Sequence, residues 1–177
     1  MNSDSIVLYK LIILYMLDRV DFTLTNSQIT DFILEKGYTG YFTIQESLGG
    51  LVDSKYVFVS SIRGTSHFKI TDKGEEALSL LENRIPYAIK KDILDYFEKE
   101  KFNLRKETEI WSDYCLDSNN EYTVSCVIKD RNETLLDIKF QVPTKSLAVQ
   151  ICDNWRDKSA EVYDILVNQL WTNKTGS

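Results

Sequence analysis

Apolar side chains crowd the first segment of the chain so densely that they leave it no polar face. Ile6, Tyr9, Leu11, Ile13, Leu14, Met16 and Leu17 surround one helix on nearly all sides. This is the pattern of a central, buried helix, with Ser5 placed to cap it and an end near Val20. The next run has a single apolar face. Thr25 is followed three residues on by Gln28, a capping-box pair, and then by Ile29, Phe32 and Ile33 up to Gly37. After the turn Gly37-Tyr38-Thr39-Gly40, a third helix is predicted from about Tyr41 to Ser54. There Ile44, Leu48, Leu51 and Val52 recur at i, i+4, i+7 and i+8, while Thr43, Gln45, Glu46, Ser47 and Gly50 look outward. Gly49 and Gly50 cost about 1 kcal/mol each relative to Ala inside a helix, and they mark either a close helix approach or a weakened helix.

Tyr56 to Ser60 and His67 to Thr71 are short β-rich runs, joined through a polar tip, Ser61 to Ser66, and Asp72 then caps a fourth helix through Ala77, Leu78 and Leu81. Three helices, a hairpin and a closing helix are the plan of a winged helix-turn-helix, with the hairpin as the wing. The segment His67-Phe68-Lys69-Ile70-Thr71-Asp72-Lys73-Gly74-Glu75-Glu76-Ala77-Leu78 resembles the wing strand and following helix of the MarR and PadR-like bacterial regulators. Leu14 to Asp18, Thr25 to Ile29, Gly37 to Thr43 and Arg84-Ile85-Pro86 resemble more closely a family of Gram-positive bacterial winged-helix proteins known as a domain of unknown function. That resemblance runs through most of the chain and implies a transcriptional regulator. It brings no operator, effector or catalytic residues with it.

Pro86 suits the first turn of a helix and disfavours helical geometry before it, so a linker helix is expected from there to about Asn103. Ile89, Ile93, Leu94 and Phe97 form its apolar side, and Lys90, Lys91, Asp92, Asp95, Glu98 and Lys99 a solvated charged face. Beyond it the period changes from helical to strand. Ile110, Tyr114 and Leu116, then Tyr122, Val124, Cys126 and Ile128, then Leu136, Ile138, Phe140 and Val142 are all even-numbered. Three antiparallel strands sharing one apolar face are predicted. Odd loops keep that parity, here Ser118-Asn119-Asn120 and Arg131-Asn132-Glu133 with an Asn in the left-handed position. Thr144 starts a last helix whose Leu147, Ala148, Ile151, Cys152 and Trp155 cover the sheet. The periodicity continues through Val162, Tyr163, Leu166, Leu170 and Trp171, so this helix either bends near Arg156 to Ser159 or overhangs. The expected class is therefore α+β: a winged helix over residues 1–84, a linker helix over 85–104, and an α+β domain over 105–177 made of a three-stranded antiparallel sheet covered by helix.

Charge and composition narrow the function. Of 177 residues 27% are charged, the net charge is −6, and 8 basic against 11 acidic residues up to Arg84 leave the winged helix itself acidic. A strong basic excess is absent from both halves, which weighs against non-specific nucleic-acid binding. Cys115, Cys126 and Cys152 form no C-x-x-C pair, and His67 is the only histidine, so neither a metal site nor the usual nucleophile-and-base pair is expected. With no phosphate loop and no nucleophile elbow, the chain reads as a non-enzyme without cofactors. No bilayer span or signal peptide is recognised, which makes the cytoplasm the expected address.

Sequence-dependent contact with double-stranded DNA is assigned to Thr39, Tyr41, Thr43, Gln45 and Glu46 at the start of the third helix, with Gln45 as base reader, and to Lys55, Arg63, Thr65 and Lys69 on and near the wing. A solvated helix face explains the first group equally. Two other functions stay open: a winged helix that binds protein, and a ligand sensor whose small-molecule effector sits among Trp111, Asp113, Tyr114, Glu121 and Tyr122. Two apolar stripes, on the linker helix and on the last helix, exceed what one sheet face can cover, and a homodimer built from both is expected.

Overall fold

The computed structural model describes residues 3–131 and 133–171, in two compact units, Met1–Thr108 and Glu109–Ser177. It is a mixed α+β protein with two small antiparallel sheets, one in each unit.

In the first unit α1 (Ser3–Asp18) is buried at every position from Leu11 to Leu17, as its unbroken apolar run demands. It begins before Ser5, which lies inside the first turn and is not its cap. Helix α2 (Asn26–Glu35) opens on the expected capping box: Gln28 N–H donates to Thr25 Oγ1 at 3.2 Å, and Thr25 N–H donates to Gln28 Oε1 at 2.9 Å. Helix α3 (Tyr41–Asp53) buries Ile44, Leu48 and Leu51. Thr43 and Ser47, expected to look outward, are buried beside them, because small polar side chains widen the packed face of a helix lying against both α1 and α2. Gly50 takes the Lys10 side chain against its bare Cα, whereas Gly49 faces open space.

Helix α3 stops in a Schellman motif, with Tyr56 N–H donating to Leu51 O and Lys55 N–H donating to Val52 O. Lys55 sits at φ +61°, in the left-handed position usually given to Gly. Strands β2 (Val57–Ile62) and β3 (Thr65–Ile70) pair from Val57↔Ile70 to Ile62↔Thr65. The six-residue polar tip thus shrinks to Arg63-Gly64, whose positive φ values match the twist of the flanking strands. A two-residue strand unmarked in the sequence, β1 (Leu24–Thr25), adds to β3, giving the order β1-β3-β2.

Helix α4 (Asp72–Leu81) is capped by Thr71 and not by Asp72. Thr71 Oγ1 accepts from Gly74 N–H at 3.2 Å and donates to Lys55 O at 2.7 Å. Gly74 is required by contact: a Cβ there would collide with the Tyr56 carbonyl. After a 3-10 turn (Glu82–Arg84), α5 (Tyr87–Glu109) runs past Asn103 and belongs to the first unit as far as Thr108. Ile93, Phe97 and Leu104 join the core of α1 to α3, while Leu94, expected beside them, points to solvent. The charged side is not uniformly solvated. Asp92 accepts from the Tyr38 hydroxyl and pairs with Lys36, and buried Gln28 donates to Leu104 O and to Glu107 Oε2.

In the second unit β4 (Ile110–Leu116), β5 (Tyr122–Asp130) and β6 (Glu133–Val142) pair in the order β4-β5-β6, with even residues opposite even residues. The first loop is as predicted: Asp117 N–H bonds Glu121 O around Ser118-Asn119-Asn120, and Asn120 has φ +63°. The second differs. Asp130 pairs with Glu133 across Arg131 and residue 132, where Arg131 has φ +58° and the Asn132 assignment falls outside the described residues. A two-residue turn inverts the parity, and a bulge at Ile128/Lys129 that leaves Leu135 unpaired restores it, so that Ile128 faces Leu136. Helix α6 (Lys145–Trp171) is one continuous helix of 27 residues, about 40 Å long. Ala148, Cys152 and Trp155 close the core with Val124 and Cys126, and the Trp155 indole donates to Val127 O at 3.1 Å. Leu147, expected to cover the sheet, lies at the rim of that contact and is exposed.

Candidate nucleic-acid interface

The assigned residues divide into two groups that the fold treats differently. On α3 the exposed outer face is Phe42, Glu46, Gly49 and Asp53, spaced i, i+4, i+7 and i+11. Tyr41 is exposed and stacks edge-on against Phe42 at 5.8 Å between ring centres. Glu46 is exposed, Thr39 half-buried and Thr43 buried. Gln45 is half-buried with its amide occupied: Oε1 accepts from Asn26 at 2.8 Å, and Nε2 donates to Asn26 Oδ1 and Thr30 Oγ1. That bridge joins α3 to α2 and draws the side chain inward, where the helical spacing alone had turned it out. Phe42, 86% exposed, was missed because the spacing of Ile44, Leu48, Leu51 and Val52 defines the packed face without it, and an apolar side chain is not among the polar positions searched for base contact.

The second group is basic. Lys55 and Lys73 meet at the C-terminal end of α3, where Lys73 Nζ donates to Ser54 O at 2.9 Å and lies over the Tyr56 ring. Cations there oppose the negative end of the helix dipole. Arg63 stands in the hairpin turn, Thr65 follows it, and Lys69 lies opposite exposed Phe58 across the β2-β3 pair. His67 is buried in β3 with Nδ1 3.3 Å from Thr23 Oγ1, and burial lowers its pKa below the ordinary value. A neutral, packed imidazole results. The surface therefore offers exposed cations on the hairpin and at the end of α3, and aromatic and acidic side chains along α3.

The five residues assigned to an effector pocket do not converge. Strand alternation puts Trp111 and Asp113 on one face of the second sheet and Tyr114 and Tyr122 on the other, where the two tyrosine rings meet at 6.2 Å, and Glu121 lies in the turn. Among the described residues there is no cluster of His, Cys, Asp or Glu able to hold a metal ion, and no helix long and apolar enough to cross a membrane.

Taken together, the fold defines a two-unit α+β chain in which Lys55, Arg63, Lys69 and Lys73 are exposed on a hairpin and at a helix end. The chain belongs to the family described as Domain of unknown function (DUF4364), which matches residues 9–170. No curated protein and no solved structure matches it.

Proposed function

We propose that the first unit contains a winged helix and that the protein is a cytoplasmic transcriptional regulator that binds double-stranded DNA as a homodimer. The observation that carries this reading is the element order α1-β1-α2-α3-β2-β3 with sheet order β1-β3-β2, in which a two-residue turn presents Arg63 at the tip of a hairpin that follows a third helix whose first two residues are exposed. Phosphate contact falls to Arg63, Lys55 and Lys69, with Lys73 added to them. Base contact moves from Gln45 to the outward side chains: Phe42 has the chemistry to meet a thymine methyl and Glu46 to accept from a cytosine amino group.

Selection from a random duplex pool, followed by mobility shifts over a range of salt, tests it. Arg63→Ala is expected to weaken all sequences alike and to reduce the salt slope by about one unit, while Phe42→Ala changes which sequences are enriched. Failure of the wild-type protein to retain any duplex at low salt ends this reading. A second reading, a winged helix that binds protein, is favoured by one specific feature: α3 contains no Lys or Arg and exposes Tyr41 and Phe42 beside Glu46. In that case Phe42→Asp abolishes a protein complex and Arg63→Ala does not.

A further inference from the structure

Three lysines from three segments meet at the C-terminal end of α3. Helix α1 packs against both α3 and α4, and it lays half-buried Lys10 across Gly50, with Nζ and Cε 2.6 and 2.9 Å from where a Cβ on that residue would stand. One turn further along, about 6 Å by helical rise, Lys73 of α4 donates to Ser54 O on the same side of α3, and exposed Lys55 follows directly in the Schellman turn. Gly50 is therefore a seat, because any side chain there would displace the Lys10 ammonium.

What sets these cations apart is that none of them is neutralised. Elsewhere in the first unit Arg19 and Lys90 share Glu82, Lys36 takes Asp92 and Arg84 takes Asp4. Among the described residues, no carboxylate lies within ion-pair distance of Lys10, Lys55 or Lys73. Glu46 and Asp53, at i−4 and i+3 from Gly50, belong to the exposed outer face of α3 and do not bond Lys10. The helix end accounts for Lys73, which bonds its last carbonyl, but not for Lys10: Gly50 O is taken by Ser54 N–H at 3.2 Å. Unpaired ammonium groups beside an exposed helix face are suited to phosphate, which supplies from outside the chain the negative charge that the fold withholds.

We infer that Lys10 is a phosphate-binding residue, seated by Gly50 and acting with Lys55 and Lys73 as one site for the phosphate groups of a duplex strand beside α3. The inference rests on the DNA-binding reading for the source of the phosphate. It adds a contact from α1, outside both the helix-turn-helix pair and the hairpin.

Mobility shifts with a mixed-sequence duplex over a range of salt measure the site. Lys10→Ala is expected to reduce the salt slope by about one unit, while Lys10→Arg keeps it, as does Lys91→Ala, whose ammonium is paired with Asp95. Gly50→Ala should weaken binding about as much as Lys10→Ala and change nothing further in a Lys10→Ala background. The added methyl meets only the tip of a flexible side chain, so the far-UV spectrum should stay the same. A slope untouched by Lys10→Ala, or a Gly50→Ala effect that is the same with and without Lys10, overturns the inference and leaves the DNA reading. Carbon NMR of lysine-labelled protein titrated with sodium tripolyphosphate reads the site without DNA, the Lys10, Lys55 and Lys73 signals being identified by their Arg variants. If the protein retains no duplex, movement of these three signals ahead of Lys91 keeps the phosphate site and removes the DNA reading, whereas signals that stay still or move together with Lys91 remove both.

Discussion

Helices α5 and α6 are written in nearly the same way, as long amphipathic helices with an apolar residue every three or four positions, yet one spends its stripe inside its own unit and the other leaves part of it bare. The stripe of α5 meets partners along most of its length: Ile93 and Phe97 enter the core, Tyr96 packs on Phe32 at 4.7 Å between ring centres, and Leu104 continues the contact. Polar groups hold it in register at both ends, Asp92 with Tyr38 and Lys36, and Glu107 with Gln28. The Tyr38 hydroxyl, pushed up by burial and by the Asp92 carboxylate, stays protonated as the donor of that bond. Helix α6 has fully buried residues only as far as Ser159, Val162 still packs in part on the second core, and Leu170 and Trp171 beyond it are exposed. An apolar stripe is thus evidence of a partner, and the partner's identity depends on how far the neighbouring elements reach.

The sharpest break in this comparison lies within α6 itself. Trp155→Ala should cost about 3–5 kcal/mol, since it empties the centre of the second core and leaves Val127 O without its indole donor. An unchanged urea midpoint would show that this helix is not anchored there. On α5, Ile93→Ala should cost about 2–5 kcal/mol and its neighbour Leu94→Ala close to nothing. Equal losses at the two positions would mean that the helix is rotated from the packing described.

The smallest effect separates the units by pH. His67, the only histidine, lies in the first unit with a pKa lowered by burial, so the unfolded chain takes up the proton first as pH falls. Stability of the first unit should decline as pH drops below about 6.5 and level off above it. His67→Gln removes that slope, and a slope that survives the substitution places the titrating group elsewhere.

Much of this architecture was legible because short-range rules suffice for it. The capping box of Thr25 and Gln28, the all-round burial of α1, the even-numbered face of the second sheet and the anchoring by Trp155 each follow from spacing and side-chain type. Other features depend on what comes to lie opposite. Gln45 was assigned to a groove on helical spacing, and only the approach of α2 shows Asn26 and Thr30 occupying its amide. Strand parity demanded an odd count between β5 and β6, yet a two-residue turn with a bulge meets that demand as well as a three-residue loop, and the choice is what exposes Leu135.

By itself, then, the amino-acid sequence determined the kind and order of the longer elements and the main apolar stripe of each, because those properties come from backbone geometry and the side chains within a turn or two. Which face meets a neighbour, which polar atoms are consumed in that meeting, and which stripe is left in water were decided only in the tertiary structure. Burial and hydrogen bonding between segments far apart in the chain depend on relative position in space, which periodicity does not encode.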